Sequence, residues 1–168
     1  MTQTANGSVE SATEAAAEIE TFESIDPRTG EVVGRHLIHD AAAVEAAVRE
    51  ARQAQASWAD LGFTGRKRRL DAWRKLLVRR LDELATLICA ETGKPLDDAR
   101  LELVLVVDHL HWAAANAEKV LRRRKVPSGL LMANHQSSVE YVPLGVVGVI
   151  GPWNYPAFTP MGSIAYAL

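Results

Sequence analysis

One stretch limits the possible folds more than any other: Pro143-Leu144-Gly145-Val146-Val147-Gly148-Val149-Ile150-Gly151-Pro152-Trp153-Asn154-Tyr155-Pro156. Val146, Val147, Val149 and Ile150 make a β-branched run, the pattern of a parallel strand covered on both faces. Pro152 and Pro156 lack the N–H that a central strand needs, so the chain must leave the sheet near Gly151. In open α/β sheets ligands bind beyond the carboxyl ends of the strands, and this loop would fall there. Asn154 offers N–H donors on a short, stiff side chain, suited to stabilising a developing oxyanion. On its own residues, an Asn between two prolines reads more readily as an Asx-type turn.

Upstream, residues 1 to 20 are poor in aromatic and aliphatic side chains and are expected to form a disordered tail. Phe22 to His36 reads as two short strands around the turn Asp26-Pro27-Arg28-Thr29-Gly30. Asp40 is a suitable N-cap for a first helix, whose apolar face carries Val44, Ala47, Val48, Ala51 and Trp58. Thr64 is expected to cap a second, longer helix with Leu70, Trp73, Leu77, Leu81, Leu84 and Ile88 on one stripe. Gly93 suits its C′ position and Pro95 the first turn of a third helix, from Leu96 to about Leu121. Arg122 to Lys125 places four positive charges where the helix macrodipole favours them. β-formers return from Leu130 to Val142, and a last helix begins near Ala157. No Gly, Lys or Pro marks an end for that helix before Leu168, so it is expected to be cut short.

Pro143 to Leu168 resembles the aldehyde dehydrogenase superfamily, whose hallmarks include such a strand followed by a Pro-Trp-Asn-Tyr/Phe-Pro loop. The resemblance extends through Glu91-Thr92-Gly93-Lys94-Pro95-Leu96 and the Asp26-Pro27-Arg28-Thr29-Gly30-Glu31 turn. It implies an α/β fold of the aldehyde dehydrogenase type, truncated to well under half of a usual member. Residues 21–124 would be the helical part of the cofactor-binding domain, 125–142 the oligomerisation strands, and 143–168 the first strand of a Rossmann-like sheet with its Asn loop. It further implies NAD or NADP as cofactor, an aldehyde as substrate, and a homo-oligomer for the full-length protein.

Within that resemblance Asn154 becomes the catalytic candidate. Its amide would donate to the oxygen of a tetrahedral thiohemiacetal, formed when a cysteine thiolate attacks the aldehyde. Ile150, Gly151, Pro152 and Trp153 would form a wall against the dinucleotide. The glycines at 145, 148 and 151 are not the G-x-G-x-x-G fingerprint, and for Gly145 and Gly148 backbone crowding is the favoured reading. Cys89 reads as a small buried hydrophobe, not as the nucleophile. In the family pattern the nucleophile, the general base and the ribose contacts all fall beyond residue 168, so the isolated chain is expected to be inactive. Two alternatives stay open: a non-catalytic fragment serving as an interaction module, and a relative that releases its acyl group to coenzyme A.

Composition excludes several other classes. A formal net charge of −2 gives no general attraction to nucleic acid or anionic membrane. The basic runs Gly65-Arg66-Lys67-Arg68-Arg69 and Arg122-Arg123-Arg124-Lys125 flank amphipathic helices and read as solvated faces. His109 and His111 are two apart on a helix and point to different faces, and H-E-x-x-H is absent, so no metal is expected. The most apolar helical stretch, Leu101 to Val120, carries Asp108, His109, His111, Glu118 and Lys119, which argues against a membrane span. A single cysteine fits a reducing cytoplasm.

Overall fold

A computed structural model describes residues 20–168. The expected disordered tail lies, but for its last residue, outside the described residues. The rest is a mixed α/β arrangement, mostly helical, with two small sheets. β1 (Thr21–Ile25) and β2 (Val32–Leu37) pair antiparallel, with Phe22 opposite His36 and Ser24 opposite Gly34. The turn between them closes on itself. The Asp26 carboxylate accepts from the Arg28 backbone N–H at 2.8 Å and from Arg28 Nε and Nη2 at 3.1 and 2.8 Å.

Helix α1 (Ala41–Asp60) starts where Asp40 accepts from the Ala43 N–H at 2.8 Å, as its cap position predicts. No residue of α1 is buried, so it lies at the periphery. Downstream, the single long helix expected from Thr64 is two. α2 (Gly62–Arg79) begins two residues before Thr64, without a side-chain cap, and α3 (Leu81–Thr92) follows across Arg80. Arg80 takes φ −105° and ψ 16°, outside the helical region. The apolar stripe runs through this break because its two halves serve different clusters. Leu70 of α2 is buried with Val106, Leu110, Ala113 and Ala114, while Ala85, Ile88 and Cys89 of α3 are buried with Ala99 and Leu103.

Gly93 ends α3 at φ 73°, donating to the Cys89 carbonyl at 2.9 Å. A Cβ there would also stand 3.0 Å from Pro27 Cγ, so the hairpin turn packs against this corner. Pro95 sits just before α4 (Leu96–Leu121) with ψ 147°, one position earlier than expected. α4 is the central element and packs against α2, α3 and α5. Its Val106 and Leu110 are almost wholly buried, each contributing roughly 1.5–3 kcal/mol of apolar burial. α5 (Phe158–Ala167) lays Met161 and Ala165 into the same cluster.

Two strand expectations are corrected. The β-forming stretch from Leu130 to Val142 yields only β4 (Ser137–Val139), paired antiparallel with β3 (Arg124–Val126), which begins inside the basic run. Leu130–Met132 is instead a turn of 3-10 helix entered through Gly129 at φ 78°. Residues 146–150 belong to no sheet. Among the described residues no strand lies alongside them, so their N–H and C=O groups have no ladder to join. The β-branched side chains that would fill a two-sided sheet are left outside the core, with Ile150 98% exposed.

Candidate active site

The loop after residue 150 is tied down by groups distant in sequence. Glu102 is on the buried stripe of α4, one turn from Ala99 and from Val106, and its side chain is fully buried. One carboxylate oxygen, Oε1, accepts from the backbone N–H groups of Ala157 and Phe158 at 2.8 and 3.0 Å. These are among the N–H groups that the start of α5 cannot satisfy internally, and the methyl side chain of Ala157, at its cap position, has no acceptor to offer. A carboxylate there also complements the positive end of the helix.

The other oxygen, Oε2, lies 2.6 Å from Lys94 Nζ, whose side chain is 14% exposed. That ammonium donates in addition to the backbone carbonyl of Asn154 at 2.8 Å and sits 4.5 Å from the centre of the Tyr155 ring. Lys94 reaches this position because Gly93 turns the chain out of α3 immediately before it. Two oppositely charged side chains, eight residues apart, thus hold both ends of the segment from Asn154 to Phe158. Ala157 packs against both apolar clusters, fixing the far end from below.

The Asn154 side chain is exposed, and among the described residues it makes no hydrogen bond; only its backbone carbonyl is held. The Asx-type turn would have required the side chain to bond back to the local backbone. Trp153 is 82% and Ile150 98% exposed on the same loop, and Pro152 is exposed beside them. Gly151 is exposed, yet a Cβ on it would fall 2.8 Å from Pro160 Cγ, so glycine lets the chain there lie against the first turn of α5. The crowding expected at Gly145 and Gly148 is not found. A Cβ on either would meet nothing within 4 Å, and what distinguishes Gly145 is its φ of 95°.

Cys89 is 8% exposed and packed among the apolar side chains of α3 and α4. Among the described residues, no three His, Cys, Asp or Glu side chains come together as a metal site, and no helix is long and apolar enough to cross a membrane. His109 packs edge-on against Phe158 at 5.1 Å, at the interface of α4 with α5.

The Lys94–Glu102 pair is the part of the site that motif reasoning overlooked. Its signal was present: the stripe Ala99, Leu103, Val106, Leu110 places Glu102 among apolar positions, and a carboxylate buried there needs a cation or donors.

Residues 13–168 match the sequence model of the aldehyde dehydrogenase family. An N-succinylglutamate 5-semialdehyde dehydrogenase of Burkholderia mallei is 37% identical over 147 residues, covering 88% of this chain and 29% of the relative. Among solved structures, an aldehyde dehydrogenase from Brucella melitensis biovar abortus 2308 superposes with a TM-score of 0.82 at 27% identity, over 88% of this chain and 30% of that one. A NAD-dependent benzaldehyde dehydrogenase from Corynebacterium glutamicum gives 0.78 at 28% identity, over 88% of this chain and 32% of that one. The chain spans 27% to 30% of the length of the curated relatives it matches. Its hairpin, its helices around α4 and its anchored Asn loop are therefore a portion of a known architecture, and the chain belongs to the aldehyde dehydrogenase family.

Proposed function

We propose that this chain supplies the oxyanion donor and part of the nucleotide wall of an NAD(P)-dependent aldehyde dehydrogenase, which oxidises an aldehyde to a carboxylic acid. The observation that carries this is the asymmetry at Asn154. Its backbone is fixed by a buried ion pair, while its amide is exposed and makes no hydrogen bond among the described residues. In this reading the amide donates to the aldehyde oxygen as a thiolate adds to the carbonyl carbon and negative charge gathers on that oxygen. The buried position of Cys89 speaks against it as that thiolate. The nucleophile and the general base come from residues outside these 168, and the chain alone is inactive.

The exposed apolar surface of Ile150 and Trp153, beside the rigid Pro152, suits the flat rings of a dinucleotide. NAD or NADP, when bound, accepts the hydride. Gly151 would contribute through its backbone, since the space a side chain would need is taken by Pro160. A second reading, a non-catalytic interaction module, draws on the exposure of Leu130, Leu131 and Leu144, each above 90%.

The test begins with the intact mass of the native gene product. A mass near 18.3 kDa favours the interaction module, and a much larger one the enzyme. In the larger protein, Asn154→Ala should lower kcat by on the order of 10²–10³ and leave cofactor affinity nearly unchanged. Equal losses in both would make Asn154 a structural residue.

A further inference from the structure

Resting on that reading of Asn154, we infer that Lys94 and Glu102 are positioning residues for the Asn154 amide, acting as one clamp on both ends of its loop. Neither is carried by the loop it holds. Lys94 stands on the corner between α3 and α4, and Glu102 on the buried stripe of α4. The Lys94 hydrogen bond to the Asn154 carbonyl, at 2.8 Å, fixes the peptide plane that follows Asn154 and so limits the directions its side chain can take. Glu102 fixes the other end through the Ala157 and Phe158 N–H groups. Only Tyr155 and Pro156 lie between these attachments, and the Pro156 ring locks its own φ. The loop is left with little freedom to swing.

Stability alone does not account for such a pair. Burying both ions loses about as much hydration as their attraction returns, and well-packed apolar residues of similar size often serve a core as well. Apolar residues could not, however, donate to one chosen carbonyl and accept from two chosen amides. The pair confers direction, and direction is what an oxyanion donor needs. Its N–H must lie within about 2.7–3.1 Å of an oxygen that becomes charged only during reaction, and a displacement of about 1 Å can cost on the order of 10²-fold in rate.

A double-mutant cycle in the native gene product tests this, using Lys94→Met, Asn154→Ala and their combination. Lys94→Met should lower kcat roughly 10- to 100-fold while KM for the cofactor stays within about twofold. In the Asn154→Ala background the same substitution should lower kcat by less than about threefold, because the group it positions is already gone. Hydrogen exchange of the peptide spanning residues 153–158 should accelerate in Lys94→Met. Multiplicative losses, equal changes in KM and kcat, or unchanged exchange would overturn the clamp. If Lys94→Met does not fold, Glu102→Gln keeps an oxygen for the two amides and removes the charge; it should show the same non-additivity. The two possible failures are distinct. An Asn154→Ala protein with undiminished kcat overturns the oxyanion reading and the clamp's catalytic role together. A damaged Asn154→Ala protein with multiplicative Lys94 losses overturns the clamp alone.

Discussion

The two halves of the segment from Leu144 to Phe158 are adjacent in sequence and opposite in circumstance. From Asn154 onward the chain is held by a buried carboxylate, an ammonium and the packing of Ala157 against both clusters. Before Trp153 it has no ladder partner among the described residues, and Leu144 and Ile150 are more than 90% exposed. The more hydrophobic half is the less buried. Apolar pattern expresses what a segment would gain from being covered, whereas burial depends on whether another element is there to cover it. The second half is fixed because its partners are already in place, Lys94 at the corner between α3 and α4 and Glu102 on α4 itself.

The largest effect on this contrast should come from Glu102→Ala. It strips the Lys94 ammonium and the first amides of α5 of their acceptor, and breaking a buried pair from one side costs about 3–5 kcal/mol. Urea unfolding measures it, and a loss under about 1 kcal/mol would mean that water takes the place of the carboxylate and the held half is less held than it looks.

A smaller effect should reach the clamp from behind, through the hairpin turn that packs on Gly93. The Arg28 side chain, and then its backbone N–H, hold the Asp26 carboxyl down from its ordinary value of 3.8 to about 2. Folding thus favours ionised Asp26. Its stabilisation is complete above the unfolded value near 4 and fades as pH falls through about 2. The stability difference between the native chain and Asp26→Asn should accordingly be constant at neutral pH and shrink between pH 4 and pH 2. A difference that grew on acidification would refute the assignment.

The smallest effect is expected where the sequence is most apolar. Ile150→Ser should change stability by no more than about 0.5 kcal/mol, although a core isoleucine cut to a small residue costs about 2–5 kcal/mol. A thermal melt showing a core-sized loss would mean that Ile150 is covered in solution.

Local chemistry made much of this structure legible. Asp40 and Gly93 bound their helices as their types require, α4 runs between the residues its periodicity indicates, and the Asp26–Gly30 turn joins the two strands as expected. The features that were not legible depend on what lies across space. The break at Arg80 has no Gly or Pro to announce it, and it falls where the apolar stripe passes from one cluster to the other. Residues 130–142 carry β-formers, yet only Ser137–Val139 find a partner. At the candidate site, the resemblance drew attention to Asn154 through the motif around it. Glu102 was legible as a carboxylate on an apolar stripe, but its link to the loop was not, since Lys94 and Glu102 lie 60 and 52 positions from Asn154 and share no periodicity with it.

The bonding of Glu102 carries a consequence for the order in which the molecule can be assembled. Its cationic partner precedes it by eight residues, but the two amides that complete its shell follow by 55 and 56. While the chain is being synthesised, α3 and α4 can come together and satisfy one oxygen through Lys94. The other oxygen must wait for residues 157 and 158. The helical core is therefore sealed late, and by the same event that sets the Asn154 loop in place.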